Sequence, residues 1–156
     1  MNLYLVRHGD AVSEMRDPAR PLSERGRAEL ETLAEYLAPH METAAIVHSG
    51  KTRAEQSAQI LQATALPNAS LQMREGLNPN DDVAAFAKSL QNENRDLVVV
   101  GHLPYVSRLT SLLTCGDADR SVYMFDTGSC VALQRHGAAW WVRWMLDPHL
   151  LGSGNG

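Results

Sequence analysis

NLYLVRHGD (Asn2–Asp10) carries a nearly all-apolar, β-favouring stretch, Asn2–Val6, straight into an arginine, a histidine, a glycine and an aspartate. An apolar run without polar alternation is the pattern of a strand buried on both faces. Such a strand needs helices on either side, so the rest of the chain is read for alternating strands and helices. Ala44–His48 (AAIVH), Asp96–Val100 (DLVVV) and Ser129–Arg135 (SCVALQR) repeat the strand pattern. A fifth run, Ala139–Met145 (AWWVRWM), alternates like a half-exposed strand, and His136 and Gly137 read as the turn of an antiparallel hairpin.

Helical periodicity falls between these runs. Ser23–Leu37 opens on a capping serine, spaces Leu30, Leu33 and Leu37 on one face, and is closed by Pro39. Lys51–Ala65, ending before Pro67, together with Asp82–Gln91 and Tyr105–Leu113, supplies three more helices. Strands alternating with helices make crossover units, hence an α/β fold: a three-layer sandwich whose mostly parallel central sheet has helices on both faces and an antiparallel edge. One domain is expected over residues 1–150, with a flexible tail at 151–156.

Bulk properties narrow the function. Among 156 residues, 44% hydrophobic and 21% charged content is that of an ordinary globular protein. A net charge of −4 argues against nucleic-acid binding, which needs clustered cations. Lys51 and Lys88 are the sole lysines; the other cations are arginines, whose planar fork suits bidentate phosphate binding. Cys115 and Cys130 are too few for a disulfide framework and lack metal-ligand spacing, so two thiols in a reducing compartment are expected. No apolar run approaches the ~20 residues of a membrane span, and Arg7, His8 and Asp10 interrupt the start too early for a secretory signal. A cytoplasmic monomer with no membrane or nucleic-acid partner is the expectation.

In open sheets of this kind, ligands sit beyond the carboxyl ends of the strands. Arg7–Asp10 follow the first strand, Ser49–Arg53 the run ending at His48, and Gly101–Pro104 (GHLP) the run ending at Val100. Three polar clusters from distant parts of the chain therefore converge on one rim. Two arginines, Arg7 and Arg53, with a helix starting near Ser49–Lys51, outline a phosphate pocket. A neutral histidine there can attack phosphorus and form a covalent phosphohistidine, while a second, protonated by the anion, stabilises the transferring oxygens. Each residue alone has a plainer reading as a solvated charge or hydrogen-bonded loop residue; their order along the chain does not.

LVRHGDA (Leu5–Ala11), SGKTRAEQSA (Ser49–Ala58) and VVGHLP (Val99–Pro104) resemble the three signature segments of the histidine phosphatase superfamily, the phosphoglycerate-mutase-like enzymes. The resemblance spans Leu3 to about Pro148. It implies that His8 is the nucleophile, Arg7 and Arg53 the phosphate-binding arginines and His102 the second histidine; no metal is expected, because Arg7, Arg53 and His102 together can do what a cation otherwise does, and no cofactor is expected. Larger members carry a helical insertion over the pocket, for which this chain has little room. DPARPLSERGRAEL (Asp17–Leu30) and LNPNDD (Leu77–Asp82) resemble the small SixA-type phosphohistidine phosphatases. That comparison implies a phosphohistidine-bearing protein as substrate, such as a histidine-containing phosphotransfer domain, and phosphate or other oxyanions as pocket ligands. Arg20 then matches an arginine facing the pocket; a surface ion pair with Asp17 or Glu24 is its alternative. Arg20, Asp10, Ser49 and Leu103 are the candidate substrate contacts.

Ester-hydrolysing members carry a carboxylic acid after the third strand to protonate the departing alkoxide. Here that region reads MREGLNPNDD, with Glu75 as the candidate acid and Asp10 as another. Three alternatives stay open: a phosphomonoesterase for a sugar phosphate, nucleotide or phosphopeptide; an inactive phosphate-binding adaptor; and a metallohydrolase, for which the histidines lack a carboxylate-rich pattern. His48 reads as a hydrogen-bonded strand-end residue, and His40, His136 and His149 suggest no ligand set. Trp140, Trp141 and Trp144 read as packing on the edge strands, with one exposed.

Overall fold

A computed structural model describes residues 1–42, 45–121 and 123–151. Its sheet is built around β1 (Asn2–Arg7), which has partners on both edges. β4 (Leu97–Gly101) runs parallel to it, pairing Leu3 with Leu97 and Arg7 with Gly101. β5 (Cys130–His136) runs antiparallel on the other side. Outward from β4 lie β2 (Ala45–His48) and β3 (Ser70–Met73), both parallel; outward from β5 lies β6 (Ala139–Leu146). The order is β3-β2-β4-β1-β5-β6, the expected mixed sheet with an antiparallel edge.

Alternation along the strands splits the core into two layers. Tyr4, Val6, Ile46, Val98 and Val100 face α1 (Glu24–Leu37) and α2 (Thr52–Thr64). Leu3, Leu5, Val47, Leu97 and Val99 face α3 (Val83–Ser89) and α4 (Tyr105–Cys115). Burial on both faces is why β1, β2 and β4 read as continuous apolar runs.

Several boundaries differ from the sequence reading, each for a local reason. β3 was not anticipated: its four residues are mostly exposed on the sheet edge and carry no apolar run. β2 begins at Ala45, and Ala44 of the expected strand lies outside the described residues, as does the tail Gly152–Gly156. Pro39 does not close α1 abruptly but sits in a 3-10 turn, Ala38–His40, where its missing N–H costs nothing. The hairpin turn is Gly137–Ala138, because His136 still pairs with Ala139 and Gly137 takes the positive φ of 61°. Leu151, expected in the tail, ends a short helix, α5 (Pro148–Leu151).

Candidate active site

The register aligns the carboxyl ends of four strands. Arg7 lies opposite Gly101, and His48 opposite Val100 and Met73. Chain leaving β1, β2 and β4 therefore emerges on one rim, and the rim holds His8, Ser49, Arg53 and His102.

His8 is fixed by the bonds around it. Its backbone N–H donates to Gly101 O at 2.9 Å and its Nδ1 lies 2.6 Å from Gly9 O. A carbonyl can only accept, so Nδ1 carries the proton and Nε2 keeps its lone pair. Nε2 faces Arg53, whose Nε–H donates to it at 3.4 Å. Burial, then the charges of Arg53, Arg7 and Arg20, push the imidazole pKa down to about 4 against one opposing bond from Gly9. The side chain is thus a neutral imidazole with its nucleophilic nitrogen toward the arginines.

Gly9 allows this placement. A Cβ there would lie 2.6 Å from Leu30 Cδ2 and 2.7 Å from Gly26 O, so β1 and α1 pack backbone against backbone. Gly9 N–H donates to Ser57 Oγ, and that hydroxyl donates to Arg53 O, joining the β1 loop to α2.

Arg7 is anchored from the far half of the chain. One guanidinium nitrogen donates to Phe125 O at 2.8 Å, and its backbone N–H donates to Ser129 O at 3.0 Å. Gly128 N–H returns bonds to Arg7 O and His8 O at 3.0 and 3.1 Å. Buried Arg7 Nε has no hydrogen-bond partner among the described residues. Burial lowers the Arg7 pKa while Asp126, Glu29 and Asp10 oppose that fall.

His102 faces His8, with ring centroids 5.1 Å apart. Ser49 Oγ lies 2.6 Å from its Nε2, in hydrogen-bond contact, and accepts from Lys51 N–H at 3.4 Å. Buried Nδ1 has no partner among the described residues. Burial, followed by His8, Arg53, Lys51 and Arg20, drives the His102 pKa to about 3. In the free pocket His102 is therefore neutral, and the protonation expected of it when an anion binds requires that anion to outweigh burial and the neighbouring cations.

Arg20 belongs to this group. It adopts a positive φ of 48° in a loop closed by the Ala11–Leu22 bridge, and its Nε donates to Val12 O at 3.2 Å. Its charge acts on His8, Arg53 and His102. Neither ion-pair alternative forms: Asp17 accepts from Ala19 N–H instead, and Arg20 is in none of the ion pairs among the described residues.

The remaining candidates divide. Asp10 accepts from the Ser23 hydroxyl at 2.6 Å, and Ser23 caps α1 by accepting from Gly26 N–H at 3.0 Å; Asp10 thus holds the helix start. Leu103 lines a cavity of about 440 Å³ beside His102 with Pro104, Tyr123, Met124 and Phe125. Glu75 is exposed in the turn after β3 and lines a different cavity with Arg74, Asp81 and Asp82. β3 lies three strand spacings from β1, about 14 Å at ~4.8 Å each. The charges acting on His8 and His102 are all cationic.

His48 is buried at the end of β2 and accepts from Gly50 N–H at 3.1 Å, the structural role its position suggested. Reading by motif missed Phe125, Ser57 and the 126–129 turn, which act through backbone groups or a single hydroxyl. It also missed that His149 meets Asp126 and Asp147, their ligand atoms all within 4.8 Å of one another. That group is largely exposed, and Asp126 is not among the charges acting on either site histidine. No helix among the described residues is long and apolar enough to cross a membrane.

A lone-pair-bearing histidine among arginines, at the carboxyl rim of a doubly covered sheet, is an arrangement suited to holding a phosphoryl group. Residues 3–79 match the model of the histidine phosphatase superfamily, branch 1. Among solved structures it is similar to the protein histidine phosphatase SixA complexed with tungstate: TM-score 0.86, 27% identity, covering 97% of this chain and 99% of that one. A protein assigned as phosphohistidine phosphatase SixA from Agrobacterium tumefaciens superposes with a TM-score of 0.77 at 24% identity, covering 94% and 97%. The α-ribazole phosphatase from Shigella flexneri gives 0.76 at 16% identity, covering 95% and 97%. At those last two identities the likeness concerns the fold. No curated protein matches.

Proposed function

We propose that this phosphatase hydrolyses phosphohistidine on a protein, through a covalent phosphohistidine at His8. The observation that carries the reading is that the charges acting on the two histidines are all cationic, with no carboxylate among them. An alkoxide leaving from an ester needs a proton donor in place. An imidazole leaving from a phosphoramidate is protonated before or during transfer and has less need of one.

His8 Nε2 attacks phosphorus as the substrate P–N bond breaks, and the leaving imidazole departs neutral with a proton taken before or during transfer. Water then attacks the His8 adduct, the second P–N bond breaks, and phosphate is released with His8 neutral again. Arg53 turns its Nε–H from the lone pair to a phosphoryl oxygen, joining Arg7 and Arg20 around the transferring group. His102, charged by the anion beside it, donates from Nε2 once the Ser49 hydroxyl turns away. Four cationic groups meet the charge that a metal ion neutralises elsewhere, so metal-independent turnover is part of the proposal. The SixA relative's complex with tungstate, an oxyanion of the phosphate class, is consistent with it.

The test is turnover of a histidine-phosphorylated phosphotransfer domain beside a panel of phosphate esters. Phosphohistidine is expected to be hydrolysed far faster, with an acid-labile adduct on His8 trapped by an alkaline quench and absent in His8→Ala. Faster hydrolysis of esters, or full turnover in His8→Ala, overturns the reading.

A further inference from the structure

We infer that the cleft beside His102 is a docking surface for an apolar side chain adjoining the phosphohistidine on a protein substrate. The inference rests on the function proposed above. The cleft has a volume of about 440 Å³ and is lined by Leu103, Pro104, Tyr123, Met124 and Phe125 with two serines. Two of its lining residues connect directly to the phosphoryl pocket. Leu103 directly follows His102, and the backbone carbonyl of Phe125 holds the Arg7 guanidinium at 2.8 Å. A phosphoryl group between Arg7 and His102 therefore brings whatever carries it against this apolar wall.

The occupant follows from the chemistry of the wall. Phe125 is buried and its backbone is tied to Arg7, so the floor is fixed. Met124 lines the cleft and is 84% exposed, an unbranched polarisable side chain of the kind that adapts to varied apolar partners. Small ligands are enclosed over most of their surface, whereas Met124 leaves this wall open. The apolar cleft beside a cationic pocket matches a surface that presents a phosphorylated histidine and an apolar neighbour together. Cation attraction holds the phosphoryl group, and the cleft discriminates between proteins that carry it.

The experiment compares kcat/KM for a histidine-phosphorylated phosphotransfer domain with kcat/KM for free phosphohistidine, in the wild type, Met124→Ser, Tyr123→Ser and Trp141→Ser. Met124 and Trp141 are both exposed, so their variants do not depend on repacking; Trp141 lies on the distant outer strand, β6. The protein-to-free ratio is expected to fall roughly fivefold to tenfold in Met124→Ser, the scale of one partly buried apolar contact. It should hold in Trp141→Ser. An unchanged ratio in Met124→Ser, or a fall confined to Trp141→Ser, overturns the docking surface while leaving the phosphohistidine reading intact. A wild type inactive on both phosphohistidine substrates overturns that reading and the docking surface with it. A ratio that falls in Tyr123→Ser but not in Met124→Ser assigns Tyr123 to loop packing and counts against the cleft.

Discussion

In the proposed reaction His8 and His102 share one pocket but need opposite protonation states: burial and the arginines keep His8 neutral, and the bound anion charges His102. For His8 the consequence is a displaced acid limb. An ordinary imidazole nucleophile is half lost at its free pKa of ~6.5, whereas His8 stays neutral down to about 4. The kcat/KM profile, corrected for spontaneous acid hydrolysis of phosphohistidine, should therefore hold through pH 5 and fall near pH 4; a limb near 6.5 would show that burial and the cations do not lower the His8 pKa. The same displacement acts on stability. Because the folded pKa lies below the unfolded one, the unfolded chain takes up protons first, so stability falls as pH drops from about 6.5 to about 4. At full effect that is roughly 3 kcal/mol. The arginines separate in a different assay. Arg7→Ala and Arg53→Ala should each lower kcat by roughly 100- to 1000-fold, and lysine should restore little because a point charge lacks the fork. Arg7→Lys should be the worse of the two lysine variants, since it also strips Phe125 O of its donor. Equal rescue at both positions would show that the Phe125 tether contributes nothing. Arg7, His8, Arg53 and His102 were legible because each lies within a few residues of an apolar strand end or the helix start beside it. Phe125 was not, since a carbonyl does its work whatever side chain stands there.

At the scale of elements, the approach of α1 to β1 is the constraint that places the rim. A Cβ at Gly26 would overlap the Asp10 carbonyl oxygen and lie 2.8 Å from Asp10 N. Both are backbone atoms that cannot turn aside. Gly26→Ala should therefore cost about 1–3 kcal/mol and lower turnover as well, by displacing the Asp10 backbone next to His8. Gly76, at φ +85° with nothing within 4 Å of an added Cβ, supplies the contrast: Gly76→Ala should cost about 1–2 kcal/mol of backbone strain alone and leave turnover intact. Urea denaturation midpoints and steady-state assays on the two variants check both statements. A glycine inside α1 gave no such sign in the sequence, where it reads as a weak helix position. Helix and strand existence was legible wherever burial on one or both faces wrote a period into the residues. It failed at β3, where Ser70, Gln72 and Met73 face solvent and pairing with β2 alone makes the strand.

For the whole molecule, oxyanion binding and fold stability are linked through a pocket assembled from loops throughout the sequence. Tungstate or vanadate should raise the melting temperature in the presence of excess chelator, by the equivalent of ~2.7 kcal/mol at a hundredfold excess over Kd. The shift at the same concentration should shrink in His102→Ala. A shift abolished by the chelator would place a metal ion in the pocket. The sheet order carries a consequence for how the pocket comes into being. β1 is made before the other strands, yet its neighbours are β4 and β5, and Arg7 finds the carbonyl that holds it 118 residues later. Closing loops of that length is slow compared with forming α1 or α2. Until β5 arrives, the edge of β1 that faces it stays open on an apolar strand, the type of segment that recruits other chains. Phosphatase activity should therefore appear in one late step during refolding, and a nascent chain released before β5 should be prone to aggregate despite already containing His8, Arg53 and His102.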